Sequence, residues 1–146
     1  MSVGRYVLNF LGQKTRTLPD PDAFRRYFTH YTPEKWRAGV AGGSFKYIDA
    51  NDKHFDLIVA HSPKHGISLM YNAGKGRDRM TFVSVSDAGA LAEIVDVGVD
   101  EFYPAGTFVD PSQAWVVVEA FLTDPTVTLG EPLMVDIEET DWPEMF

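Results

Sequence analysis

Phe55-Asp56-Leu57-Ile58-Val59-Ala60-His61 and, beyond Ser62-Pro63-Lys64-His65, Gly66-Ile67-Ser68-Leu69-Met70-Tyr71-Asn72 are two β-prone runs separated by turn-forming residues. Phe55, Leu57 and Val59 alternate to one side of the first run, and Ile67, Leu69 and Tyr71 to one side of the second. Because successive side chains of a strand point to opposite faces, this alternation predicts adjacent antiparallel strands with one face covered. Similar runs at 44–49 and 79–85 flank them, set off by Asn51-Asp52-Lys53 and Gly74-Lys75-Gly76. The four together read as a meander.

Working outward, residues 6–11 make a further short strand, and Asp20-Pro21 opens a helix whose Phe24, Tyr27, Phe28 and Tyr31 recur at the i, i+3, i+4, i+7 spacing of a buried face. Thr32-Pro33 stops it. Residues 34–43 read either as a helical turn, from Pro33-Glu34-Lys35-Trp36, or as a loop, from Gly39, Gly42 and Gly43. A fifth strand is expected at 92–97, and 101–108 reads as a short strand or an extended connection interrupted by Pro104 and Gly106. Asp110-Pro111-Ser112-Gln113 is a capping box with proline at N1, leading into a second helix at 114–122. Its apolar residues nearly encircle it, which predicts a largely buried helix. A last strand at 133–137 is expected to turn Leu133, Val135 and Ile137 inward and Met134, Asp136 and Glu138 outward. These elements predict one α+β domain over 1–146, a mostly antiparallel sheet of about five to seven strands packed by two helices.

The 146 residues include 45% hydrophobic and 13% aromatic side chains, enough for a core without staples. The absence of Cys excludes disulfides, thiolate zinc sites and Cys nucleophiles. No eighteen apolar residues run together, and the first ten residues lack a signal-peptide core, so a soluble, cytoplasmic protein is expected. Charge is sharply partitioned. All thirteen Lys and Arg precede Met80, beside seven acids, whereas Met80 to Phe146 carries fourteen Asp and Glu with no Lys, Arg or His. A one-signed half selects the sign of what binds: it disfavours nucleic acid and anionic membrane and favours a basic partner.

Catalytic and metal motifs are incomplete. His54, His61 and His65, with Asp49, Asp52 and Asp56 nearby, supply ligand-type side chains, but the stretch 61–65 reads as a hairpin turn, so the i, i+4 spacing of His61 and His65 has no helix to act through. Asp49-Ala50-Asn51-Asp52-Lys53 departs from a calcium loop at Lys53 and at His54, where glycine is needed. Gly74-Lys75-Gly76-Arg77 lacks the spacing of a phosphate-binding loop and leads into a strand. No nucleophile elbow surrounds Ser84, Ser86 or Ser112. The adjacent acids Asp100-Glu101 and Glu138-Glu139 point apart on an extended chain and form no dyad.

Glu101-Phe102-Tyr103-Pro104-Ala105-Gly106-Thr107-Phe108-Val109 followed by the helix from Ser112 resembles the immunity proteins of bacterial polymorphic-toxin and contact-dependent inhibition systems, with their Pro-x-Gly-x-Phe entry into an Ala/aromatic helix and a short strand near the C-terminus. The resemblance covers about the last third of the chain, and Asp124-Pro125-Thr126-Val127 stands where the family often has a Gly-rich stretch. It implies a cytoplasmic inhibitor of a cognate toxin domain, without catalytic residues, cofactor or metal. The acidic half fits a toxin with a basic, nucleic-acid-acting cleft. The candidate partner-binding residues are Asp96, Asp100, Glu101, Asp136, Glu138, Glu139, Asp141 and Trp142. Two alternatives make different demands: a small enzyme needs the 54–65 histidines to converge at a pocket between the meander and the second helix, and a ligand-binding or structural subunit needs an exposed apolar patch, at Trp36 or Trp142.

Overall fold

A computed structural model describes residues 4–10, 13–15, 20–36, 42–62, 64–98, 101–126 and 134–143. The meander forms as the alternation predicts. Strands β1 (Arg5–Phe10), β2 (Gln13–Thr15), β3 (Gly42–Ile48), β4 (His54–Ser62), β5 (Gly66–Lys75) and β6 (Asp78–Val83) pair antiparallel, and β10 (Val135–Asp136) closes the order β10-β6-β5-β4-β3-β1-β2. The two-residue β9 (Phe108–Val109) lies beside β5 at Ile67 and Ser68. A separate hairpin pairs β7 (Ile94–Gly98) with β8 (Glu101–Pro104). The protein is α+β, with a mostly antiparallel sheet packed by two helices.

Register explains the core. Leu8, Phe45, Leu57, Tyr71 and Phe82 face one another in successive pairs across β1, β3, β4, β5 and β6, and all five are buried. Cross-strand partners share a face, so this row is a continuous apolar floor. Helices α1 (Asp22–Thr29) and α3 (Pro111–Thr123) lie on it. Phe24 and Phe28 of α1 close around Phe10, with ring centroids 5.8 and 6.0 Å away. Phe28 meets Trp115 of α3 at 5.5 Å. Each such aromatic contributes on the order of 1.5–3 kcal/mol by leaving water. The short α2 (Pro33–Trp36) is the helical turn among the two sequence alternatives. It drives Trp36, 1% exposed, between Phe10 and Phe28, and the indole N–H donates to Tyr27 O at 3.2 Å. Trp36 is therefore core, not the exposed patch that a structural-subunit reading needs.

At α1 Asp20 acts one residue earlier than a standard cap: its Oδ1 accepts Asp22 N–H at 3.0 Å, and the helix begins after Pro21. At α3 the capping box is complete. Asp110 Oδ1 accepts Gln113 N–H at 2.9 Å and Gln113 Oε1 accepts Asp110 N–H at 3.2 Å, worth about 1 kcal/mol. Ala114, Trp115, Val117, Val118, Phe121 and Leu122 are buried, but Val116 is 50% exposed, so the helix is not covered all round.

Two sequence expectations change. β4 keeps His61 at the end of the β-prone run and takes in Ser62 from the turn, because the two pair with Ile67 and Gly66. The last strand is shorter than 133–137 and has the opposite phase. Asp136 sits opposite Phe82, on the helix-covered side at the sheet edge, and Met134, two residues earlier, is fully buried in the core. Val135 faces the other way, opposite Val83, and Ile137 to Glu139 form a 3-10 turn, so Asp136 and Glu138 do not share a strand face. A two-residue strand offers too few alternations for its phase to be read; pairing with β6 sets it. Leu133 lies outside the described residues.

Candidate functional site

The Pro-x-Gly-x-Phe stretch, residues 104–108, is a clasp. Gly106 O accepts the N–H groups of Ser86 at 2.7 Å and Asp87 at 3.1 Å. Thr107, fully buried, donates through Oγ1 to Pro104 O at 2.7 Å and meets Ser68 Oγ at 2.6 Å. Ser84 Oγ donates to Thr107 O at 2.6 Å and accepts Leu69 N–H at 2.9 Å. Every hydroxyl in this buried set has a partner, so Ser84 is structural, and Ser112, whose Oγ donates to Asp110 Oδ1 at 2.6 Å, belongs to the helix start. The clasp ties β5 to the segment that enters α3.

The acidic half spends part of its charge on its own backbone. Asp87, Asp110, Asp124 and Asp136 accept N–H bonds from Gly89, Gln113, Thr126 and Glu138 at 2.9–3.0 Å. Ser112 Oγ and Gln113 N–H hold the Asp110 carboxyl below the usual carboxylate range, and Thr126 does the same for Asp124. Glu119 pairs with Arg25 of α1 at 3.3 Å. Glu93, Glu138, Glu139 and Asp141 are exposed and make no ion pair or side-chain hydrogen bond among the described residues.

Of the sequence candidates, Asp136, Glu138, Glu139, Asp141 and Trp142 lie on one continuous segment at the β10 edge, with Asp136 and Trp142 partly buried and the other three exposed. Asp96 stands exposed on β7 of the separate hairpin and has an intramolecular partner. Glu101 opens β8, and Asp100 lies outside the described residues.

The histidines do not come together. His54 begins β4 opposite Gly74, whereas His61 lies seven residues on, roughly 23 Å along the strand. His61 is 2% exposed, with its ring centroid 4.9 Å from that of Trp36 and its Nε2 hydrogen-bonded to the Tyr31 hydroxyl. Burial pulls its pKa down to about 4, and burial raises that of Tyr31, with Glu34 adding to it. His65 is exposed in the turn, its Nδ1 3.1 Å from Ser62 Oγ. No group of three or more metal-ligating side chains occurs among the described residues, and none of their helices is long and apolar enough to cross a membrane.

The pocket between the meander and the second helix that the enzyme reading needs is present, but His65 is the one histidine of the 54–65 set on its wall. A cleft of about 470 Å³ opens where the β4–β5 turn faces the start of α3, lined by Tyr31, His65, Phe108, Asp110, Pro111 and Gln113 among others. A second hollow of about 190 Å³ shares Val109 and Gln113 with it and reaches Val85 and Val116. Sharing these lining residues, the two hollows form a groove beside α3, with half-exposed Val116 on the wall of the second. Only the pairing of β9 with β5 brings these residues together.

No protein-family model, no curated protein and no solved structure matches this chain.

Proposed function

We propose that this protein is an immunity-type inhibitor that binds a basic toxin domain in the cytoplasm of the producing cell and occludes its active site. The charge partition carries this reading: fourteen acids with no Lys, Arg or His from Met80 onward, four of the exposed ones without any described partner. Such a surface costs self-repulsion within the fold and is compensated when a partner of opposite sign covers it. A nucleic-acid-acting toxin has a basic cleft, and an acidic inhibitor meets it as the substrate would. Steering of this kind raises association to about 10⁸ M⁻¹s⁻¹ or more at low salt, which suits an inhibitor that must act before its target does. The contact centres on Asp136, Glu138, Glu139, Asp141 and Trp142 beside β10, with Asp96, Asp100 and Glu101 as outlying contributors.

The test is to look for a toxin-like open reading frame beside the gene and to co-express its product with this protein. Protection of cells is expected, together with a stopped-flow association rate that falls steeply between low and physiological salt. Failure to protect against that toxin, or salt-independent association, overturns the proposal.

A further inference from the structure

We infer that the groove beside the start of α3 receives an arginine side chain of the protein partner. This rests on the reading of the protein as an inhibitor of a basic domain, and it adds a specific anchor to the diffuse acidic surface. The two hollows share Val109 and Gln113 in their linings, and among the described residues neither is lined by Lys or Arg; Lys64, next to His65 in the turn, is exposed and lines neither.

The start of α3 would ordinarily attract an anion, but its donors are already used. Pro111 has no N–H, the Ser112 and Gln113 N–H groups go to the Asp110 carboxylate, and Ala114 N–H goes to Asp110 O at 3.0 Å. What the cleft presents instead is the exposed Asp110 carboxylate, whose Oδ1 already accepts Ser112 Oγ–H and Gln113 N–H, on a lining shared with the partly buried Tyr31 and the buried Phe108. His65 stands 5.6 Å from Phe108, centroid to centroid. A carboxylate beside aromatic surface suits a planar, weakly hydrated guanidinium, which stacks and pairs at once, better than a strongly hydrated ammonium. The methylene stem of the same side chain covers Val109 and Pro111.

The experiment titrates the ¹⁵N-labelled full chain with N-acetyl-arginine amide, and separately with N-acetyl-lysine amide and inorganic phosphate, following backbone amide shifts. Saturable shifts clustered at Gly66, Val109 and Gln113 are expected with the arginine probe, with a Kd in the millimolar range appropriate to one side chain. Asp110→Asn keeps an equally good N-cap while removing the charge, so it should weaken binding about fivefold or more without unfolding α3. Tyr31→Leu, which removes ring surface at the rim, should also weaken it. Absence of saturable shifts at these amides, equal or tighter binding of phosphate or the lysine probe, or an unchanged Kd in Asp110→Asn overturns the inference. If the arginine probe binds but no toxin is neutralised, the inhibitor reading fails alone; the reverse pattern removes only the anchor.

Discussion

Gly106 packs so tightly against Asp87 that a β-carbon on it would stand 2.0 Å from the Asp87 carbonyl oxygen. The obstacle is backbone, held in place by the two N–H bonds that Gly106 O accepts, so it cannot swing aside as a side-chain tip would. The glycine of the Pro-x-Gly-x-Phe stretch thus has a packing reason, independent of any partner.

Gly106→Ala should therefore destabilise the fold, by roughly 1–3 kcal/mol for an overpacked site. Thermal unfolding should show a drop of about 4–10 °C for a domain of this size. An unchanged melting temperature would show that residues 84–87 can move away from the clasp at little cost.

Trp115→Ala and Phe121→Ala should each lose about 3–5 kcal/mol, since both side chains are buried and Trp115 joins α3 to Phe28 of α1. Urea titration measures this. A variant that unfolds at the wild-type midpoint yet no longer binds the partner would place that face of α3 at the interface.

Glu138→Lys with Glu139→Lys should leave stability within about 0.5 kcal/mol of wild type, because neither side chain has a described partner to lose. Association with the proposed toxin partner should slow by about tenfold or more at low salt and converge toward the wild-type rate at high salt, where the field is screened within a few ångströms. Asp136 belongs in a separate variant, Asp136→Asn, because its carboxylate also accepts Glu138 N–H at 3.0 Å. Equal rates for wild type and the double reversal across the salt series would move the interface elsewhere.

His61 gives stability a pH dependence with a definite sign. Its folded pKa of about 4 lies below the unfolded value near 6.5, so the unfolded chain binds the proton first as pH falls. Its contribution is fully present above about pH 6.5 and is lost as pH drops toward 4, by up to roughly 3 kcal/mol. His61→Phe should lack this component, so the stability difference between variant and wild type should change across that window in urea titrations at fixed pH. A constant difference would mean that His61 titrates alike in both states. For testing function, His54→Ala is the clean substitution, since His65 lines the cleft beside α3. His61→Ala opens a void beside Trp36 and confounds stability with activity.

Much of this architecture is readable along the chain because its causes are local. Phe55, Leu57 and Val59 alternate over enough residues to identify a covered strand face, and Asp110 with Gln113 marks the start of α3 because a capping box closes within four residues. The charge partition is equally direct, since it needs no geometry. What could not be read depends on partners distant in sequence. Met134 is buried and Asp136 edgeward because β10 pairs with β6, some fifty residues earlier, and two residues cannot announce their own phase. His61 stands where the β-prone run meets the turn, and only its pairing with Ile67 and contact with Trp36 make it a neutral core side chain. The groove of Tyr31, Phe108 and Asp110 joins the end of one helix, a two-residue strand and the start of another helix, a juxtaposition that no periodicity encodes and that long-range packing alone creates.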